Sequence, residues 1–196
     1  MVYFVKPHGG ALVNLMVDTD AAEQLKQASR HFPSLTLSQR QLCDLELLMN
    51  GAFSPLTGFL GQSDYESVVD NLRLADGTLW PVPIVLDISE KFADTLEKGQ
   101  KIALRDSEGF MPAVLTVEEI WRPDKTHEAE KVYNTTSELH PGVRYLSECV
   151  QPVYISGKIE GIQALPFTDT EPAPALRPGT VDERRLLAVN RLPGAK

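Results

Sequence analysis

One stretch, Asn50-Gly51-Ala52-Phe53-Ser54-Pro55-Leu56-Thr57-Gly58-Phe59-Leu60, restricts what this chain can become more than any other. It has the glycines and proline of a loop and the phenylalanines and leucines of a core. Glycine relaxes backbone sterics, proline fixes φ, and phenylalanine contributes only when buried. Such a segment reads as a packed hinge rather than a solvated connection.

Helix signals flank it on both sides. Ser38 with Gln41 three residues later makes a capping-box pattern, and Leu42, Leu45, Leu48 and Met49 recur at helical spacing. Arg40, Asp44 and Glu46 lie off that stripe, and Asn50-Gly51 supplies a stop that tolerates left-handed backbone. Beyond the loop, Ser63 and Glu66 repeat the capping pattern, with Tyr65, Val68, Val69 and Leu72 as the expected buried face. Phe53, Pro55, Leu56, Phe59 and Leu60 are then expected to form a corner that fixes two helices against a sheet.

The remaining elements follow the same logic. Pro7 to Gly10 is a turn, Ala11 to Val17 reads as a short strand, and Asp18 caps a surface helix through about Phe32. Asp76-Gly77 is a tight turn, and Trp80-Pro81-Val82-Pro83 is extended, at an edge or the outset of a strand. Ile84 to Ile88 reads as a strand and Ser89 to Leu96 as a short helix. Lys101 to Arg105 and Phe110 to Trp121 pair as a hairpin around Asp106-Ser107-Glu108-Gly109. Asp124 caps a helix through about Tyr133 with Ala129, Val132 and Tyr133 inward, and His140 to Val143 reads as a rigid turn. Pro152 to Ile155 and Lys158 to Ile162 bracket Ser156-Gly157 as a closing hairpin. From Pro166 onward prolines fall among few periodic apolar residues, which is linker composition, so a domain boundary is placed near Leu165.

At 196 residues and 42% hydrophobic composition, one domain with a real core and a tail is the expected organisation. A net charge of −8 argues against a partner held by phosphate attraction, so nucleic acid is not expected. Cys43 and Cys149 are too few for a disulfide framework and read as buried reduced thiols. No window has the apolar length of a membrane span, and the start lacks a signal-peptide pattern, so the expected compartment is the cytoplasm.

Candidate chemistry is sparse. His8, His31, His127 and His140 are widely spread, with no pair at ligand spacing. Ser54 lacks the Gly-x-Ser-x-Gly setting of a nucleophile and reads as a turn serine. Gly9-Gly10 and Gly58-x-x-Gly61 match neither a P-loop nor a dinucleotide fingerprint. Asp64, Glu66, Asp70, Glu118, Glu119, Asp124, Glu128 and Glu130 read as solvated charge on helix faces and helix starts. Phe53, Phe59, Trp80, Trp121 and Tyr154 read as core rather than as a stacking platform for bases. No residue is assigned a catalytic, cofactor-binding or metal-binding role, and no cofactor is expected.

Several ordered signatures together resemble the ATP sulfurylase (sulfate adenylyltransferase) family, specifically its N-terminal PUA-like domain. They are Lys6-Pro7-His8-Gly9-Gly10, Gln41-Leu42-Cys43-Asp44-Leu45-Glu46, the Asn50 to Leu60 loop, and Leu74-Ala75-Asp76-Gly77-Thr78-Leu79-Trp80-Pro81-Val82-Pro83-Ile84. Leu104-Arg105-Asp106, Ile120-Trp121-Arg122-Pro123-Asp124-Lys125 and His140-Pro141-Gly142-Val143 continue the series over residues 1 to 165. The resemblance implies an α+β domain, a PUA-like pseudo-barrel of mixed strands with peripheral helices. In the family a catalytic domain follows that joins ATP and sulfate into adenylyl sulfate and pyrophosphate.

The family's catalytic Gln-x-Arg-Asn and His-x-x-His motifs do not occur here. Arg184-Arg185-Leu186-Leu187-Ala188-Val189-Asn190-Arg191-Leu192-Pro193 resembles the start of the catalytic domain with the motif broken, so Asn190 and Arg191 receive no catalytic role. The expected division is residues 1–165 as the PUA-like domain and 166–196 as a linker, tail or remnant of a catalytic-domain start. Two main readings follow: a non-catalytic N-terminal portion of an ATP sulfurylase, or a stand-alone module binding a protein partner, with RNA the weaker branch. A third is a subunit completed in trans by a sulfurylase catalytic domain.

Overall fold

The computed structural model describes residues 6–165. Its five strands are β1 (Ser34–Thr36), β2 (Leu86–Ile88), β3 (Lys101–Arg105), β4 (Ala113–Trp121) and β5 (Val153–Gly161), in the sheet order β1-β3-β4-β5-β2. β1 pairs with β3 in parallel, and every other pairing is antiparallel. The mixed sheet curls into a half-barrel with helices around it, which is the α+β, PUA-like architecture expected from the sequence.

The β3–β4 hairpin forms where the alternating pattern places it, and Asp106 closes its turn by accepting from the amides of Glu108 and Phe110. The expected closing hairpin is different: Ser156-Gly157 does not turn, and β5 runs straight through it. β4 offers a partner along the whole length, with Val117 opposite Gly157, Glu119 opposite Ser156 and a bulge between them. A Cβ at residue 157 would collide with the Thr116 carbonyl, so this glycine permits a close approach of backbones instead of a reversal.

The expected strand over Ala11 to Val17 reduces to a single bridge between Met16 and Gly161. Val17 donates to the Gly161 carbonyl within that bridge, but the amides before it are taken elsewhere: Val13 donates to Ser54 Oγ, and Leu15 donates to the Met49 carbonyl. With the donors of Val13 and Leu15 committed to a loop and a helix end, the ladder does not extend back from the bridge.

Helix α1 (Thr19–Ala28) is capped by Asp18 and continues into a 3-10 turn, Ser29–His31. Both halves of the Ser38–Gln41 capping box are present at the start of α2 (Gln39–Met49), which buries Leu42, Leu45, Leu48 and Met49. Helix α3 (Gln62–Asn71) begins before Ser63, which therefore caps nothing. A tertiary carboxylate replaces it, because Glu119 on β4 accepts from the Gln62 amide at 2.7 Å. Leu72, expected on the buried face, takes a left-handed conformation that ends α3 and leaves it exposed.

Ser89 caps the short α4 (Glu90–Ala93), and Asp124 caps α5 (Lys125–Tyr133). His140 to Val143 is not a rigid turn but the start of α6 (Pro141–Glu148). Proline at the first helical position lacks only a donor that would be unpaired anyway, so the same Pro that suggested a turn begins a helix. Both cysteines are free, but Cys43 is half-buried and Cys149 exposed, which corrects the expected burial.

The Asn50 to Leu60 loop does pack as a corner. Leu56, Phe59 and Leu60 are buried in one core with the inward faces of α2, α3 and the sheet. Gly58 lies so close to the Gly157 carbonyl that any side chain there would clash, which locks the loop onto β5. Phe53 is half-buried and meets Trp80 edge to face at 5.8 Å. Ser54 is buried and bonded within the turn, as a turn serine should be. The linker and broken-motif readings for residues 166–196 lie outside the described residues.

Candidate functional site

The densest polar arrangement of the described residues lies where α2, α5 and α6 meet the β2–β5 edge of the sheet. Arg40 and Asp44 stand one turn apart on α2 and pair at 2.9 Å. Arg40 reaches across to Asp87 on β2 at 2.6 Å, donates from Nε to the Tyr145 hydroxyl at 3.2 Å, and lies 5.9 Å over the Tyr145 ring. Asp87 is buried and also accepts from Gln41 Nε2 and the Gln151 amide, both at 2.8 Å. One carboxylate thereby ties a helix, a strand and the approach to β5.

Beside it, Glu128 on α5 points inward. Its Oε2 accepts from the hydroxyls of Tyr65 at 2.8 Å and Tyr154 at 3.0 Å, and only 6% of the residue is exposed. Lys125, one turn earlier, donates to the carbonyls of Leu146 and Val150 and so holds the C-terminal end of α6. A half-open cavity of about 190 Å³ sits among these groups, lined by Arg40, Asp44, Glu128 and Tyr145 together with apolar side chains such as Val82 and Val132.

Burial dominates the electrostatics. It pushes the Glu128 carboxyl above its ordinary range, against the opposing hydrogen bonds from Tyr65 and Tyr154. Burial, then the Glu128 charge, drives the Tyr65 and Tyr154 hydroxyls far up. Asp44 is raised because burial outweighs the attraction of Arg40, and Lys125 is lowered by burial. For Arg40 burial pulls down, but the Tyr145 bond and the charges of Asp44 and Asp87 together win, and its affinity for the proton rises. These groups are aimed at one another, so the arrangement joins elements rigidly and walls a small cavity.

The acidic residues read as solvated charge divide accordingly. Asp64 caps the Ala75 amide, Asp70 pairs with His127 and Lys131, and Asp124 caps α5, all near the surface. Glu128 overturns that reading, because two tyrosines offer it hydrogen bonds inside the core. The signal was present: Glu128 precedes the inward Val132 by four residues and so shares its face. Arg40 and Asp44, placed outside the apolar stripe of α2, carry the rest of the network, and their i, i+4 spacing was the visible trace of a pair. Of the aromatic set, Phe59, Trp121 and Tyr154 are buried, and Trp121 and Tyr154 pack edge to face at 6.0 Å. His8 bonds the Leu79 carbonyl, and His140 caps α6.

Comparison with known proteins gives this arrangement a setting. The model of the PUA-like domain family matches residues 5–164. The sulfate adenylyltransferase of Eremothecium gossypii is 46% identical over 160 residues, which cover 81% of this chain and 32% of that protein. That of Candida albicans is 48% identical over 166 residues, covering 80% of this chain and 31% of the relative. Among solved structures, a hexameric APS kinase from Thiobacillus denitrificans superposes with a TM-score of 0.64 at 34% identity, over 84% of this chain and 28% of that one. The chain thus spans about a third of the length of the curated relatives it matches.

Proposed function

Because the chain belongs to the PUA-like domain family, we propose that it serves as the N-terminal domain of a sulfate adenylyltransferase and does not carry out adenylyl transfer on its own. The supporting observation is an identity of 46% over 160 residues that occupies only 32% of the relative. In this reading the groups that hold ATP and sulfate belong to the remaining two-thirds of such an enzyme. The polar network fits a supporting role, since transition-state stabilisation requires donors aimed at reacting atoms, and Arg40 aims its donors at Asp44, Asp87 and Tyr145.

The domain ends near Leu165, with residues 166–196 acting as linker, tail or the remnant of a catalytic-domain start, and no residue of the chain acting as a catalytic, cofactor or metal group. Its partner is a sulfurylase catalytic domain, its setting sulfate assimilation, and its compartment the cytoplasm. Free cysteines at 43 and 149 fit a reducing compartment, and the net charge of −8 is unfavourable for nucleic acid.

The test has two arms. Purified chain given ATP and sulfate should release no sulfate-dependent pyrophosphate, and turnover that requires sulfate overturns the non-catalytic assignment. A chimera carrying residues 1–165 in place of the matching third of the Eremothecium gossypii enzyme should fold and turn over. A chimera that folds but loses activity beyond about a hundredfold overturns the domain assignment, since an interchangeable supporting domain should not cost that much of the barrier.

A further inference from the structure

The cavity of about 190 Å³ beside Arg40 has an apolar mouth and a polar inner end. Val82 and Tyr145, which line it, are 49% and 39% exposed, whereas Glu128 is 6% exposed and Tyr154 is fully buried. A molecule entering past the exposed pair therefore reaches Glu128 at the inner end. Glu128 offers it an acceptor: Oε2 takes the hydroxyls of Tyr65 and Tyr154, while no donor among the described residues bonds Oε1. The one sealed side-chain polar atom without a partner among the described residues is Trp121 Nε1, so Glu128 Oε1 is not sealed off, and the space that its side chain lines is the cavity.

Its charge is unanswered as well. Among the described residues no ion pair involves Glu128. Two cations stand near enough for Glu128 to feel them, but both are engaged elsewhere: Arg40 on Asp44, Asp87 and Tyr145, and Lys125 on the carbonyls of Leu146 and Val150. Asp44 and Asp87 together more than answer Arg40, so the balance of the site is negative. A carboxylate held out of water without a cation is costly, and an incoming positive group relieves that cost.

We propose that this cavity binds a small primary alkylamine as its ammonium ion, with the head on Glu128 Oε1 and the alkyl stem running toward the mouth. Tyr133, Tyr145 and Tyr154 supply aromatic walls, the surroundings that favour a desolvated cation. Val132, Leu146 and Val150 supply the apolar contacts that methylene groups need. Size sets the length of the stem: a cavity of about 150 Å³ holds a benzene-sized guest, so this one suits about six to eight non-hydrogen atoms, an amine of about five or six carbons. An anion of that size meets the Glu128 charge, and an alcohol donates a hydrogen bond without the charge that strengthens it.

n-Pentylamine, n-pentanol and hexanoate carry the same stem under a cationic, a neutral and an anionic head, and together they test the assignment. Each is titrated into the 196-residue chain at about pH 8, where the amine is charged, while the methyl resonances of Val132, Leu146 and Val150 are followed. Pentylamine should shift them saturably and bind at least about tenfold more tightly than pentanol, with hexanoate weaker than either. Glu128→Gln keeps an acceptor for the two phenols and removes the charge, so it should cost the amine about tenfold and leave pentanol within about twofold of its value. No saturable shift from the amine, equal affinity for amine and alcohol, or an amine preference that survives Glu128→Gln overturns the proposal. The comparison of the three heads in the natural chain decides it even where the variant does not fold.

Discussion

Glu128 shows how one residue can be worth more as an acceptor than as a charge. Its Oε2 is the partner of two buried phenols, so removing it strands both hydroxyls. Glu128→Ala should therefore cost about 2–5 kcal/mol, the penalty of leaving two buried polar groups unpaired. Glu128→Gln keeps an acceptor oxygen without the charge and should cost less than about 1 kcal/mol near neutral pH, where burial makes the ionised form expensive. The sign with pH follows. Because the folded-state pKa lies above the unfolded one, the Glu128 contribution is fully present below the unfolded value and declines as pH rises through the folded value. Urea unfolding of both variants across that window checks the order, and a Glu128→Gln loss as large as that of Glu128→Ala would show that the charge itself stabilises the fold. The sequence disclosed the face on which Glu128 lies through Val132, but its partners, Tyr65 and Tyr154, stand 63 and 26 residues away. Local spacing carries no information about such distant donors, which is why the residue resembled ordinary solvated charge.

At the scale of elements, the corner between α2 and α3 makes a graded prediction. Phe59 is 3% exposed within the main core, whereas Phe53 is half-buried against Trp80. Phe59→Ala should cost about 3–5 kcal/mol, the range for emptying a buried aromatic site, and Phe53→Ala should cost less because water already reaches it. Denaturant unfolding decides this, and a cost below about 1 kcal/mol for Phe59→Ala would remove the corner from the core. Elements of this kind were legible because their instructions are local: the Ser38–Gln41 box and the Leu42, Leu45, Leu48, Met49 stripe specify α2 without outside help. Elements specified by a distant partner were not. Gly157 reads locally as a turn and is kept extended by β4, while Pro141 reads as a turn and instead begins α6 under the His140 cap. Ser63 likewise loses its expected capping role to Glu119, a residue 57 positions from the amide it caps.

For the whole molecule, the question is where the folding unit ends. Among the described residues the strands of the sheet lie between Ser34 and Gly161 and the main core draws on residues from Leu37 to Ile159, and the PUA-like family match stops at residue 164. The composition changes at nearly the same place, with Pro166, Pro172, Pro174 and Pro178 following in close succession. Cooperative unfolding depends on the core that the sheet and helices close together, so a boundary near Leu165 predicts that residues 1–165 retain it. The truncated chain should unfold in one transition, within about 1 kcal/mol of the 196-residue chain and thus within about 2–4 °C in Tm. Calorimetry on the two lengths measures this directly. A loss above about 3 kcal/mol would require residues 166–196 to supply a share of the core on the scale of a fully buried side chain or more, and the domain would then extend past Leu165. A match within the predicted interval would leave residues 166–196 outside the cooperative unit and the boundary near Leu165.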